Sequence, residues 1–179
     1  MNSQNRLITE CAISVTLSSI LSSIPVFKLI NGGSVTFASS SPIIIFSFKN
    51  KFYFGLLAGL IYAIFQLLSS FHFPPSKTIF TFIAVIFLDY LIPYTSLGIS
   101  SIFRFKSRYL SVILGVTFSF LIRLICSIIS GILVWKEYFP TDVPIWTYSI
   151  IYNASYLIPE YIITAVICTL IISRLSNKN

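Results

Sequence analysis

Three ionisable side chains, Asp89, Arg123 and Glu160, interrupt apolar stretches that are otherwise long enough to cross a bilayer. A charge at membrane depth costs at least ~2.5 kcal/mol on insertion scales, so such a residue faces a protein interior or a polar cavity. Arg123 and Glu160 suit an internal ion pair that fixes helix packing. Asp89 has different neighbours. Tyr90 adjoins it, and Pro93, four residues on, removes a backbone donor and loosens the helix around it. Further along, Tyr148, Tyr152 and Tyr156 recur at i, i+4 and i+8, which forms one helical stripe with Asn153 beside it. A carboxylate accepts from amino groups and an amide both donates and accepts. Aromatic faces add cation–π attraction of up to ~2 kcal/mol when desolvated. Together these groups can hold a flat, nitrogen-rich cation. Two acids and one arginine leave a formal net charge of −1 at this depth, which suits a monocation. The plainer alternative is a tyrosine stripe that only packs.

The elements that position these residues follow from composition. Of 179 residues, 56% are hydrophobic and 9% charged, with a mean hydropathy of +0.91. Such a chain cannot cover itself with polar surface, so lipid is its solvent. Apolar runs separated by polar punctuation predict an all-α, polytopic membrane protein forming a single domain over 1–179. Its six transmembrane helices are expected at about 7–26, 34–48, 52–68, 78–97, 110–135 and 146–173. The start of the chain reads as a first span, not as a removed signal peptide. Between spans, Arg6, Lys49, Lys51, Arg104, Lys106, Arg108, Arg174 and Lys178 fall on one side, and Lys28, Lys77 and Lys136 on the other. The positive-inside rule then puts both termini in the cytoplasm. The net charge of +7 is therefore topological, and nucleic acid is not an expected partner. Two aromatic, proline-rich outer loops, through Phe71-His72-Phe73-Pro74-Pro75 and Trp135 to Pro140, read either as an interfacial belt or as a lid.

No catalytic residue, metal or cofactor is expected. The only histidine, His72, falls in a loop, which removes an intramembrane Ser/His dyad and a His-based metal site. Cys11, Cys126 and Cys168 are far apart and read as small apolar packing groups. The chain has no nucleotide-binding P-loop, so uphill transport draws on a partner or an ion gradient.

Three collinear stretches carry a family resemblance: Leu88-Asp89-Tyr90-Leu91 with Ser96-Leu97-Gly98-Ile99, then Ser130-Gly131-Ile132-Leu133-Val134-Trp135, then Tyr148-Ser149-Ile150-Ile151-Tyr152-Asn153. From Thr9-Glu10 to the C-terminus the chain resembles the thiamine-specific S-components of energy-coupling factor (ECF) vitamin transporters. The resemblance implies a six-helix substrate-binding subunit of the bacterial plasma membrane. Such a subunit captures thiamine outside and docks on a transmembrane coupling protein and two ATPase subunits. It implies substrate contacts at Asp89, Tyr90, Trp135, Tyr148 and Asn153, and Tyr152 on the same stripe and Ser127 on span five complete a substrate-binding set of seven. It also implies partner docking through a small-residue stripe on span one, where Ala12 and Thr16 stand. Some positions depart. The family's acidic residue is Glu where this chain has Asp89, a histidine of span five is Ser127, and an aromatic lid residue has no counterpart around Asn31-Gly32-Gly33. Alternatives of the same fold are an S-component for another vitamin or a thiamine precursor. A solitary transporter using Glu160 or Asp89 as proton carrier is the further alternative.

Overall fold

A helix in lipid must satisfy its polar groups internally, and the first segment does so with its own hydroxyls. In helix α1 (Ser3–Ser23), Ser14 donates to the Glu10 carbonyl, Ser19 to that of Val15 and Ser22 to that of Ser19, each at 2.8 Å. The structure, a computed structural model, describes residues 3–29 and 33–176; Asn31, Gly32 and Lys178 lie outside the described residues.

The expected second span at 34–48 is corrected. Strands β1 (Pro25–Lys28) and β2 (Ser34–Thr36) pair antiparallel, with Phe27 opposite Val35. Ala38 then turns the chain with a positive φ of 51°, and helix α2 begins at Ser41 with Pro42 in its first turn. Proline's fixed φ and missing N–H suit a helix start, which sets this boundary. Running only from Ser41 to Lys49, α2 is ~13 Å long at 1.5 Å per residue. That is under half of the ~30 Å hydrocarbon core, so α2 by itself is too short to span it.

Four further helices are long and apolar enough to cross a membrane: α3 (Phe52–Ser69), α4 (Ile79–Ile102), α5 (Arg108–Leu133) and, through its stretch Ile145–Arg174, α6 (Ile145–Ser176). The protein is thus a mostly helical, multi-pass membrane bundle, with six helices and one small hairpin among the described residues. Close approach of α3 and α4 depends on Gly98, where a Cβ would overlap the Gly55 backbone. Ser47 of α2 locks the same junction by donating to the Gly98 carbonyl at 2.7 Å.

Helix α4 is not uniform. Residues Ile86–Leu91 form a π turn, in which the Ile92 N–H reaches back five residues to the Phe87 carbonyl. Pro93 explains it: without an N–H it cannot bond the Asp89 carbonyl, so the ladder widens just ahead of it. The main core, including Ile43, Ile44, Tyr62, Leu97, Val116 and Cys168, fills the end where α2 sits. A smaller cluster of Val85, Tyr90 and Val134 lies under Trp135 and Phe71. A polar cavity occupies the space between these two apolar bodies.

Candidate functional site: a polar and aromatic cavity

The cavity has a volume of about 530 Å³, within the ~300–1,000 Å³ range of small-molecule sites. The π turn of α4 supplies Asp89 and Tyr90, α5 supplies Arg123 and Ser127, and α6 supplies Tyr152, Asn153, Tyr156 and Glu160. Trp135 comes from the 3₁₀ turn Trp135–Tyr138 after α5. Six of the seven residues expected to touch substrate line this one space: Asp89, Tyr90, Ser127, Trp135, Tyr152 and Asn153. Tyr148 is not among them. It stands one layer back, its ring 4.5 Å from Phe139 and stacked 6.0 Å from Tyr152, so it backs the wall.

Hydrogen bonds fix what each group offers. The Trp135 indole Nε1 donates to Asp89 Oδ2 at 3.0 Å, orienting both carboxylate and indole. A carboxylate has about four lone-pair sites, so Asp89 keeps acceptor capacity for a ligand. Asn153, itself buried, donates its Nδ2 hydrogens to the Ser149 carbonyl at 2.9 Å and the Ser127 carbonyl at 3.2 Å. Its Oδ1 accepts from the Tyr156 hydroxyl at 2.7 Å. With its donors occupied, Asn153 keeps spare hydrogen-bonding capacity only at Oδ1, which can accept a second hydrogen bond. Both polar ends of the site therefore select a ligand that donates.

The expected Arg123–Glu160 ion pair does not form. Each group has a nearer partner on the segment before α2. Arg123 Nη1 donates to Ser40 Oγ at 2.9 Å, and its guanidinium carbon lies 5.1 Å from the Tyr94 ring centre and 5.0 Å from that of Phe120. These distances are within the reach of cation–π attraction. Glu160, 3% exposed, accepts from the Thr36 backbone N–H at 2.5 Å and the Thr36 hydroxyl at 2.6 Å. Glu160 therefore pins the hairpin to α6.

Sequence reasoning missed Lys28 on the hairpin and Gln66 on α3 as lining residues, while His72, Tyr138 and Phe139 come from the two aromatic loops that it read as a belt or a lid. Lys28 brings the formal charge around the cavity to zero, but it is exposed at the rim, where solvent and salt screen it. The inner wall, with Asp89, Arg123 and Glu160, keeps its net −1. Trp146, in contrast, is 62% exposed and lines nothing here.

Tyr90 does more than wall the space. Its hydroxyl donates to the Ser70 carbonyl at 2.6 Å and accepts from the His72 N–H at 3.0 Å, while its ring stacks on Phe71 at 5.8 Å. It ties the loop after α3 to the π turn. Tyr90→Phe should lower stability by roughly 1–2 kcal/mol, the value of two neutral hydrogen bonds. Limited proteolysis should then show faster cutting within residues 70–78.

Gly33 closes the opposite side. Its N–H donates to the Tyr152 hydroxyl at 3.1 Å, and a Cβ there would meet the Tyr156 ring at 2.6 Å. Where the resemblance expects an aromatic lid side chain, bare backbone lies on the tyrosine stripe at Gly33. Gly33→Ala should cost ~1–3 kcal/mol through overpacking, seen as a lower melting temperature of the purified protein.

A helical membrane bundle enclosing an oriented carboxylate, an oriented amide and aromatic walls is the architecture of a transport protein that holds a small solute. The comparisons make this specific. Residues 8–179 match the sequence profile of the family described as Thiamine transporter protein (Thia_YuaJ), and the chain belongs to that family, one of transporters and not of enzymes. It is 29% identical over 151 residues to thiamine transporter ThiT of Bacillus subtilis (strain 168), covering 78% of this chain and 75% of that protein. The fold is similar to that of ThiT from Listeria monocytogenes, with a TM-score of 0.78 at 16% identity over 97% of this chain and 96% of that one. It is also similar to the solved S component of a bacterial ECF transporter, with a TM-score of 0.66 at 18% identity over 98% of both chains.

Proposed function

We propose that this protein binds thiamine in an outward-facing pocket between Asp89 and Asn153. It then delivers the vitamin when docked on an ATP-driven ECF module. The observation that carries the reading is the polarity of the site: two fixed acceptors, Asp89 on the π turn and Asn153 Oδ1, line one cavity with Trp135, Tyr152 and Tyr156. Thiamine has an exocyclic amino group that donates and a cationic ring that an aromatic, net-negative wall attracts. Tyr90 shapes the loop above, Ser127 orients Asn153, and Tyr148 stiffens the stripe.

Both termini face the cytoplasm in this reading, because Arg6, Lys49 and Arg104 gather at one end of the bundle. There Glu10 pairs with Arg6 and Lys49 at 3.1 and 2.9 Å, and Arg104 donates to the Asn50 carbonyl. Ala12 and Thr16 lie on the exposed face of α1, available to a transmembrane coupling protein, with two ATPase subunits supplying the energy. A proton-carrier role for Glu160 is disfavoured, since Thr36 occupies both of its oxygens.

Calorimetry of the purified protein tests the ligand. Thiamine should bind at one site per chain, and oxythiamine, which lacks the donating amino group, should bind much more weakly. Absence of heat with thiamine at micromolar concentration, alongside binding of another vitamin, would redirect the reading to that cargo.

A further inference from the structure

A second cavity, of about 190 Å³, opens at the end of the bundle opposite the thiamine site. Its floor is apolar and buried, formed by Val112 of α5 and Ile172 of α6, with Phe48 of α2 alongside. Phe103 and Phe105 of the segment joining α4 to α5 stack 6.3 Å apart at an interplanar angle of 13°, and Phe103 packs edge-on against Phe118 at 5.5 Å. The rim carries two exposed arginines, Arg104 and Arg108. Arg104 is held in place by the Asn50 carbonyl at 2.8 Å from its Nη2, which leaves its other terminal nitrogen to donate outward. Lys49, Lys51 and Lys106 stand on the same end of the chain's topology. Among the described residues the acid at this end is Glu10, already paired with Arg6 and Lys49.

An aromatic, apolar slot whose rim is cationic fits a molecule with a hydrocarbon tail and an anionic head. We infer that this cavity is a binding site for one phospholipid with an anionic headgroup. An acyl chain lies over Val112, Ile172 and the phenylalanine rings, and the phosphate lies on Arg104 and Arg108. Charge complementarity decides for lipid over an apolar peptide, because guanidinium groups pair with phosphate oxygens in a forked, charge-assisted geometry. The position agrees: with cytoplasmic termini, as proposed above, the rim lies in the leaflet that carries the anionic lipids. The site joins α2, the α4–α5 connection, α5 and α6, so a bound lipid would brace four elements at the end remote from thiamine.

The test is native mass spectrometry of the full chain released from micelles containing equal amounts of phosphatidylglycerol and phosphatidylcholine. One phosphatidylglycerol should be retained per chain in preference to phosphatidylcholine. In the Arg104→Gln/Arg108→Gln double variant that preference should fall roughly 25-fold, from about fivefold for each basic group removed. Calorimetric thiamine binding should be unchanged in the variant, which shows that it folds and separates this result from the thiamine reading. Equal retention of the two lipids by the native chain, or an undiminished preference in the variant, would overturn the site. Retention lost together with thiamine binding sends the test to Val112→Trp, which fills the slot and leaves the arginines. Undiminished retention there also overturns the site.

Discussion

Asp89→Ala should weaken thiamine binding by about 10- to 150-fold, the loss of a charge-assisted hydrogen bond of ~1.5–3 kcal/mol. The size follows from three losses at once. The ligand's amino group loses its charged acceptor, the inner wall loses the net negative charge that attracts a cation, and Trp135 Nε1 loses the partner that orients its ring. Asp89→Glu restores charge and acceptor on a side chain one methylene longer, so it should retain most of the affinity. The pair separates chemistry from folding. If alanine and glutamate lowered affinity equally, geometry and not charge would govern the site. Calorimetric titration of the two variants beside the native protein checks this, with melting temperatures recorded on the same samples.

Glu160→Ala should be the most destabilising single change in the cavity wall. The carboxylate is buried and accepts both the N–H and the hydroxyl of Thr36. Removing it strands the buried Thr36 N–H, at about 1–3 kcal/mol, and takes the charged acceptor from the Thr36 hydroxyl, which keeps only Ser39 Oγ at 2.8 Å, so a loss of roughly 2–4 kcal/mol is expected. Glu160→Gln keeps one acceptor oxygen and should lose about half as much. Because the hairpin also carries Lys28 and Gly33 into the cavity, both variants should bind thiamine more weakly than their stability alone predicts. Thermal unfolding in detergent measures the first effect. Calorimetry well below the melting temperature measures the second. A melting temperature for Glu160→Ala equal to that of the native protein would refute the pinning role.

Most of the helical frame was legible because lipid imposes it. A chain with no water to bond must run in apolar helices long enough to cross, and α3, α4, α5 and α6 do so. The failure at 34–48 has a local cause. Strands of three and four residues are too short for alternation to register, and a helix begun late by Pro42 shares their apolar composition. That error produced the next one. With 34–48 read as one plain apolar span, Thr36 and Ser40 were not recognised as polar partners, and Arg123 and Glu160 were matched with each other. Coulombic attraction suggested a pair, whereas hydroxyl and backbone donors on a neighbouring segment reach both groups directly.

The polar heart of the cavity was readable for a different reason. A carboxylate and an amide at membrane depth have few tolerable environments, so Asp89 and Asn153 announced an interior site by type and position alone. Pro93 pointed to the loosened helix that became the π turn. Lys28, His72 and Tyr138 sit on a hairpin and on connecting loops, whose placement is a tertiary property that no periodicity encodes. Tyr148 was drawn in by the family resemblance and by the stripe it shares with Tyr152 and Tyr156. The stripe is real, but the cavity ends before reaching it.

Two tryptophans make the central claim directly measurable, since Trp135 lines the cavity and Trp146 stands exposed outside it. Thiamine titrated into the native protein and into Trp146→Phe should quench fluorescence saturably, and the quenching should vanish in Trp135→Phe. Full quenching in Trp135→Phe, or its loss in Trp146→Phe, would place the vitamin somewhere other than between Asp89 and Asn153.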